Sequence, residues 1–252
     1  MGQVSVSEAA KRLGVGVSRV RQRIADGSLP AVRIGSQWVL DEAALSAVAD
    51  ASGPGRPLSR RSAWALVTTS RPDKSFLRSL APAERARARE RLGRLLASSA
   101  SAEMSEADVY DVAALLRSWL RNRAERHLYR ASPRDLPDMR EDDRVSLSGL
   151  SHPGSGISSG DIVEGYVSVD DIGLLMDDYL LSPVFPGNEA NVVLHVVSAV
   201  SSNVIGDIAP LLVAADLAEH RGPREASRAV DILRTVAEEC LGPSRSRGEV
   251  SG

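Results

Sequence analysis

Residues 7–25 read SEAAKRLGVGVSRVRQRIA, and this stretch decides how the front of the chain folds. Ser7 is placed to cap a short helix over Glu8 to Leu13, because a hydroxyl at that position satisfies amides that a helix start leaves free. Ala9, Ala10 and Leu13 form its inner side. Gly14 stops the helix, since glycine adopts the left-handed conformation without a side-chain penalty, and Val15-Gly16 makes the turn. Ser18 caps or opens a second helix to Ala25, in which Val17, Val20 and Ile24 recur at the i, i+3, i+4 spacing of a buried stripe. The opposite face carries Ser18, Arg19, Gln22 and Arg23, with Arg21 at its border.

Beyond this pair of helices, Asp26-Gly27-Ser28-Leu29-Pro30 is a breaker. Val32-Arg33-Ile34 and Trp38-Val39-Leu40 are two short strands joined at Gly35-Ser36, a hairpin with Arg33, Ser36 and Gln37 near its tip. Trp38 is read as core, and Asp41 as the cap of a third helix over residues 42–48. The side chains set outward make an inventory for reading DNA. A guanidinium pairs bidentately with guanine O6 and N7, a glutamine amide with adenine N6 and N7, and hydroxyls and helix N-termini hold phosphate. The candidate DNA-binding residues are therefore Ser18, Arg19, Arg21, Gln22 and Arg23 on the helix and Arg33, Ser36 and Gln37 on the hairpin, with Arg23 the expected base contact. The competing reading is a surface helix merely solvated by its arginines.

Two segments, Ser7-Glu8-Ala9-Ala10-Lys11-Arg12-Leu13-Gly14-Val15 and Gly27-Ser28-Leu29-Pro30-Ala31-Val32-Arg33-Ile34-Gly35, resemble the excisionase and MerR-type winged helix-turn-helix. The resemblance implies a DNA-binding domain over residues 1–51, with the second helix in the major groove and the hairpin as its wing.

Charge along the chain agrees with such a front end. The net charge of −2 divides into 25 basic and 18 acidic residues over 1–144, and 6 basic and 15 acidic over 145–252. A front half at +7 and a back half at −9 point to one end that meets a polyanion and one that does not. Only Lys11 and Lys74 are lysine; the remaining basic residues are arginine, a bias that codon composition alone produces. One cysteine, Cys240, excludes an internal disulfide and fits a reducing compartment. Neither a leader peptide nor a run of about 20 apolar residues is visible, so the expected location is cytoplasmic, without a membrane partner.

The expected class is α+β: the winged module, a Gly- and Pro-rich linker at 52–57, a basic helical region at 58–131, a mixed α/β domain at 132–243 and a frayed tail at 244–252. In the helical region, residues 84–96 carry arginines around Ala88, Leu92, Leu95 and Leu96, with Ser98 to Ala102 as an internal loop. Arg60, Arg61, Arg87 and Arg91 are candidate phosphate contacts, and a solvated face laced by Glu-to-Arg i, i+4 pairs is the equal alternative. In the last domain, strands are expected at 162–167 and 192–197, a helix over 169–181 capped by Ser168, and a final helix from Pro223 with Ala226, Val230, Leu233 and Ala237 on one stripe.

A second resemblance runs through Arg56-Pro57-Leu58-Ser59-Arg60-Arg61, Tyr129-Arg130-Ala131-Ser132-Pro133, Val163-Glu164-Gly165-Tyr166-Val167, Asn191 to Val197 and Ala209 to Glu219. Their order is similar to AbiEi-like antitoxins of type IV toxin–antitoxin systems. That resemblance implies an autorepressor of its own promoter, encoded beside a nucleotidyltransferase toxin that it counters, with dimerisation as a further expectation. An excisionase-like architectural factor without a toxin is the alternative.

An enzyme is the less favoured reading. His127, His152, His195 and His220 are scattered without metal-ligand spacing, and His195 is expected to face outward or to be structural. The loop from Gly149 to Gly160 has the flavour of phosphate or nucleophile chemistry but lacks the Walker lysine and the Gly-x-Ser-x-Gly spacing, and is read as a flexible connection. Asp170 and Asp171 are assigned to a helix start, and Asp177 and Asp178 to a solvated face. No metal or cofactor motif is read.

Overall fold

A computed structural model describes residues 3–12, 16–25, 29, 31–35, 37–41, 56–71, 75–101, 103–157, 159–184, 189–198 and 207–241. The chain separates into two units, Met1–Arg56 and Pro57–Gly252. The class is α+β, as the sequence pattern predicts.

The front unit contains β1 (Gln3–Ser5), α1 (Val6–Arg12), α2 (Val17–Ala25), β2 (Ala31–Ile34) and β3 (Gln37–Asp41). Both sheet pairings are antiparallel, in the order β1-β3-β2. Strand β1 was not expected: three residues with one apolar position carry no readable alternation, and the strand exists because Val4 is buried opposite Leu40. It also shifts the start of α1. Ser5, not Ser7, is the cap, its Oγ accepting from the Glu8 amide at 3.2 Å. Val4, Val6, Ala9, Ala10, Val20, Leu29 and Leu40 form the core, with Val17, Ile24 and Ala31 packed against it. Asp41 ends β3 opposite Gln3. The third helix, most of the linker and the tail lie outside the described residues.

The second unit is built on a five-stranded mixed sheet of β4 (Glu125–Arg130), β5 (Ser146–Leu147), β6 (Val163–Ser168), β7 (Ser182–Pro183) and β8 (Val192–Val197), in the order β5-β6-β8-β4-β7. Only β6 and β8 run parallel. Strand alternation sorts the two faces. Val163, Val167, Val192, Leu194 and Val196 pack with Leu136 and Met139 of α7 (Leu136–Glu141) and Leu175 of α8 (Ile172–Asp178). Tyr166 and Val197 face the larger core made by α3 (Arg60–Ser70), α5 (Pro82–Ser99), α6 (Glu106–Leu120), α9 (Pro210–Glu219) and α10 (Pro223–Leu241). A short helix, α4 (Ser75–Arg78), precedes α5.

No boundary falls at 131/132. The last strand of the basic region, β4, sits inside the sheet between β7 and β8, and the helices on both sides of that point share one core. Other local differences have local causes. Helix α5 runs through Ser98 and Ser99, whose hydroxyls bond back to the Leu95 and Leu96 carbonyls at 2.7 and 2.9 Å instead of opening a loop. Helix α8 begins only at Ile172, because Ser168 Oγ accepts from Asp170 N at 3.2 Å in a preceding turn. The final helix carries Ala226, Val230 and Leu233 inward, as its stripe predicts. Among the described residues, no helix is long and apolar enough to cross a membrane.

Candidate nucleic-acid interface

Helix α2 is fixed at its start by Gly16, whose carbonyl accepts from Arg19 N at 2.9 Å and Val20 N at 3.3 Å, so Gly16 rather than Ser18 occupies the cap position. Val20 is fully buried, while Val17 and Ile24 are half-buried on the same stripe. The geometry of 3.6 residues per turn then places Ser18 and Gln22 on the far side, flanked by Arg19 and Arg21, and all four are exposed. Arg23 follows Val20 by three residues, falls beside the buried stripe and is half-buried. The sequence expectation for these two arginines is thus reversed: Arg21 is outward and Arg23 is the border residue.

The hairpin register pairs Arg33 with Trp38 and Ala31 with Leu40. Alternation puts Arg33 and Trp38 on the face that carries Ala31 and Leu40, toward the tip, where both are exposed. Trp38 is 37 % exposed and is not core, because the strands run on past the small apolar cluster under Leu40. Gly35 turns the hairpin at φ 61°, a left-handed value that favours glycine. Gln37 lies opposite Ile34 at the tip, and Ser36 lies outside the described residues.

Residues 4–52 match the family described as a helix-turn-helix domain. The match covers the front unit, where two helices and an exposed Ser18-Arg19-Arg21-Gln22 face stand together, and it supports DNA-binding regulation. No curated protein and no solved structure matches the chain.

Of the arginines expected to hold phosphate in the second unit, Arg61, Arg87 and Arg91 border one hollow, and Arg60 does not line it. Arg60 donates to Glu125 Oε1 at 3.0 Å. Arg61 forks onto Glu84 at 2.9 and 3.3 Å and also reaches the Ser79 carbonyl. That hydrogen-bonded pairing holds the Arg61 pKa above and the Glu84 pKa below their ordinary values. Arg87 and Arg91 make no ion pair within 4 Å among the described residues, and they are exposed and half-buried respectively.

A cluster the sequence did not announce lies between the sheet and α9. Glu164 and Tyr166 of β6, His195 of β8, Arg123 before β4 and Asp216 of α9 are all buried. The Glu164 carboxylate accepts from Leu150 N at 2.9 Å and lies 3.2 Å from His195 Nε2 and 2.7 Å from His220 Nε2. Arg123 donates to the Tyr166 hydroxyl at 2.7 Å and to Asp216, and pairs with Glu219 at 2.7 Å. Tyr166 and Ser148 donate to Asp216, and Arg126 lies 2.9 Å from Glu219. Burial opposes ionisation of Glu164, but the two histidines overcome it and hold its carboxyl far below the usual range. Burial likewise lowers His220, and the Glu164 hydrogen bond and charge reverse that to raise it.

This cluster decides between the two readings of His195 in favour of the structural one. His195 is not outward-facing; it stacks on Tyr166 with ring centroids 4.9 Å apart. Three carboxylates of the acidic back half are buried or nearly so: Glu164 meets His220, Asp216 and Glu219 meet Arg123, and Glu219 also meets Arg126. The Gly149–Gly160 segment is no slack connection either. Ser151 Oγ accepts from Glu164 N and donates to the Ile162 carbonyl, Ser155 Oγ bonds the Ile157 backbone, and Arg140 and Arg228 collect the loop's carbonyls. Asp178 pairs with Arg144 at 2.8 Å. Among the described residues, no group of three His, Cys, Asp or Glu side chains is arranged to hold a metal ion.

Proposed function

We propose that this chain is a transcriptional autorepressor and antitoxin that works by binding rather than catalysis. Helix α2 enters the major groove of its own promoter with Ser18, Arg19, Arg21 and Gln22 facing the bases and phosphates, while the β2–β3 wing brings Arg33, Gln37 and Trp38 to the flanking backbone. The observation that carries this reading is the exposed Ser18-Arg19-Arg21-Gln22 face on a capped helix within a matched helix-turn-helix domain. Arg23 supports the helix from its border instead of reading a base.

The antitoxin part is supported by the similarity of the segments from Arg56 to Glu219 to AbiEi-like antitoxins, and it brings with it a nucleotidyltransferase toxin encoded next door. The reading calls for a cytoplasmic protein, and a homodimer would fit two operator half-sites. The test is genetic and direct. Expression of the neighbouring reading frame should arrest growth, and co-expression of this chain should restore it. A harmless neighbour contradicts the antitoxin role and leaves a DNA-binding factor of the excisionase-like kind. Arg21→Ala should weaken retardation of the upstream DNA by about 1–3 kcal/mol if Arg21 makes a bidentate base contact.

A further inference from the structure

The arginines of α5 cannot all be accounted for by the helix itself. Its inner side is Ala88, Leu92, Leu95 and Leu96. One flank carries Arg85 four residues before Arg89 and the other Arg87 four residues before Arg91, two like-charged i, i+4 pairs whose members lie about 6 Å apart along the axis. Like charges at that spacing oppose helix formation. Relief by acidic neighbours is sparse: Glu84 is engaged by Arg61, and Glu90 takes Arg94, whose guanidinium also lies 5.8 Å from the centre of the Trp119 ring. Of the i, i+4 Glu-to-Arg pairs that a solvated face would use, Glu90 with Arg94 is the one formed among the described residues.

These arginines line two hollows, one on each side of α5. One of about 150 Å³ is bordered by Arg61, Ser62, Glu84, Arg87 and Arg91. The other, of about 350 Å³, is bordered by Thr69, Leu77, Arg78, Arg85 and Arg89, and there Arg85 also reaches the Leu77 carbonyl at 3.5 Å. Two self-repelling guanidinium pairs, each beside a cation-lined hollow, go against a local rule of stability, and Glu84, which faces both Arg61 and Arg87, offsets this on the Arg87 side alone. Such violations gather at functional sites.

We infer that α5 is a second nucleic-acid surface, on which Arg85, Arg87, Arg89 and Arg91 hold the phosphate backbone of double-stranded DNA without reading its sequence. The inference rests on the chain being a DNA-binding protein and adds a contact that the helix-turn-helix domain does not contain. A polyanion is favoured over a single small anion because the cationic positions repeat along the helix on both flanks. With its arginines assigned to phosphate, the surface contributes affinity and salt dependence but no sequence preference.

The experiment uses the full chain and two DNA duplexes, the upstream sequence and a scrambled one of equal length, titrated across salt. The variant carries Arg85→Gln, Arg87→Gln, Arg89→Gln and Arg91→Gln, since glutamine matches arginine in helix propensity and removes the repulsion. Circular dichroism and thermal unfolding check that it folds. Affinity for both duplexes should fall together, by roughly tenfold or more at low salt, and the slope of log K against log salt should become shallower by about 0.9 for each phosphate no longer neutralised. The ratio between the duplexes should stay fixed. Arg94→Gln, whose charge is already engaged, should leave the slope unchanged. An unaltered slope in the quadruple variant overturns the inference. If instead Arg19→Ala and Arg21→Ala leave the ratio between duplexes unchanged, the helix-turn-helix reading fails while the α5 result stands by itself.

Discussion

Two glycine-to-alanine substitutions in the second unit should move stability in opposite directions. Gly149 has φ 51°, where an L side chain is strained by about 1–2 kcal/mol. An added Cβ there would lie 2.0 Å from Glu164 Oε2 and 2.3 Å from its carboxyl carbon. That carboxylate has nowhere to go, because Leu150 N, His195 and His220 hold it in a buried site. Losing even one charge-assisted hydrogen bond costs about 1.5–3 kcal/mol, so Gly149→Ala should destabilise by about 3–5 kcal/mol. Gly93 is exposed on α5, and its added Cβ would meet nothing within 4 Å. Gly93→Ala should therefore stabilise by about 0.5–1 kcal/mol through helix propensity.

Urea unfolding followed by tryptophan fluorescence reads both. Trp64 is buried, and its indole N–H donates to the Arg123 carbonyl at 2.9 Å, so it reports this core. In a unit of this size the first change corresponds to a fall in Tm of roughly 6–20 °C and the second to a rise of about 1–4 °C. With the slope against urea unchanged, a Gly149→Ala protein within 1 kcal/mol of the parent, or a destabilised Gly93→Ala protein, would refute the packing argument.

The ionic cluster makes two further predictions. Arg123→Met leaves Asp216 without its guanidinium partner and Glu219 with Arg126 alone, and should cost about 3–5 kcal/mol, and adding Asp216→Asn should cost less than the sum of the two single changes; strict additivity in the denaturation cycle would show that the pair is not coupled. Because Glu164 is depressed, its contribution is present above about pH 4.3 and lost as pH falls below that; because His220 is raised, its contribution is full below about pH 6.5 and lost as pH rises through its folded value. Tm should therefore be highest between these limits and decline on the alkaline side, with His220→Gln flattening that decline; a Tm that climbs from pH 6.5 to 8.5 contradicts this.

What was legible in the sequence was local. The stripe Val17, Val20, Ile24 located α2, and the apolar runs 192–197 and 162–167 located the two parallel strands, because periodicity and β-branched composition are written within a few residues. The face of α2 was legible too, except that Arg21 and Arg23 flank the buried stripe on opposite sides and the spacing does not say which flank is the more covered. The buried cluster was not, since its partners are far apart in sequence, as with Arg123 and Asp216, and each looks like an ordinary surface charge until the sheet and α9 bring them together. The same holds for Arg60 and Arg61, whose carboxylates come from Glu125 and Glu84. One clue was available: Glu164 and Tyr166 interrupt an otherwise apolar strand on alternate positions, the mark of a polar stripe on one face.

The central claim is that α2 reads DNA through its outer face. Fluorescence anisotropy with the upstream duplex and its scrambled counterpart, at one fixed salt concentration, measures it most directly. Replacing Arg19, Arg21 and Gln22 with alanine should remove most of the preference for the upstream duplex, at about 1–3 kcal/mol for each base no longer read, while binding to the scrambled duplex falls far less. An unchanged ratio between the two duplexes would contradict the account.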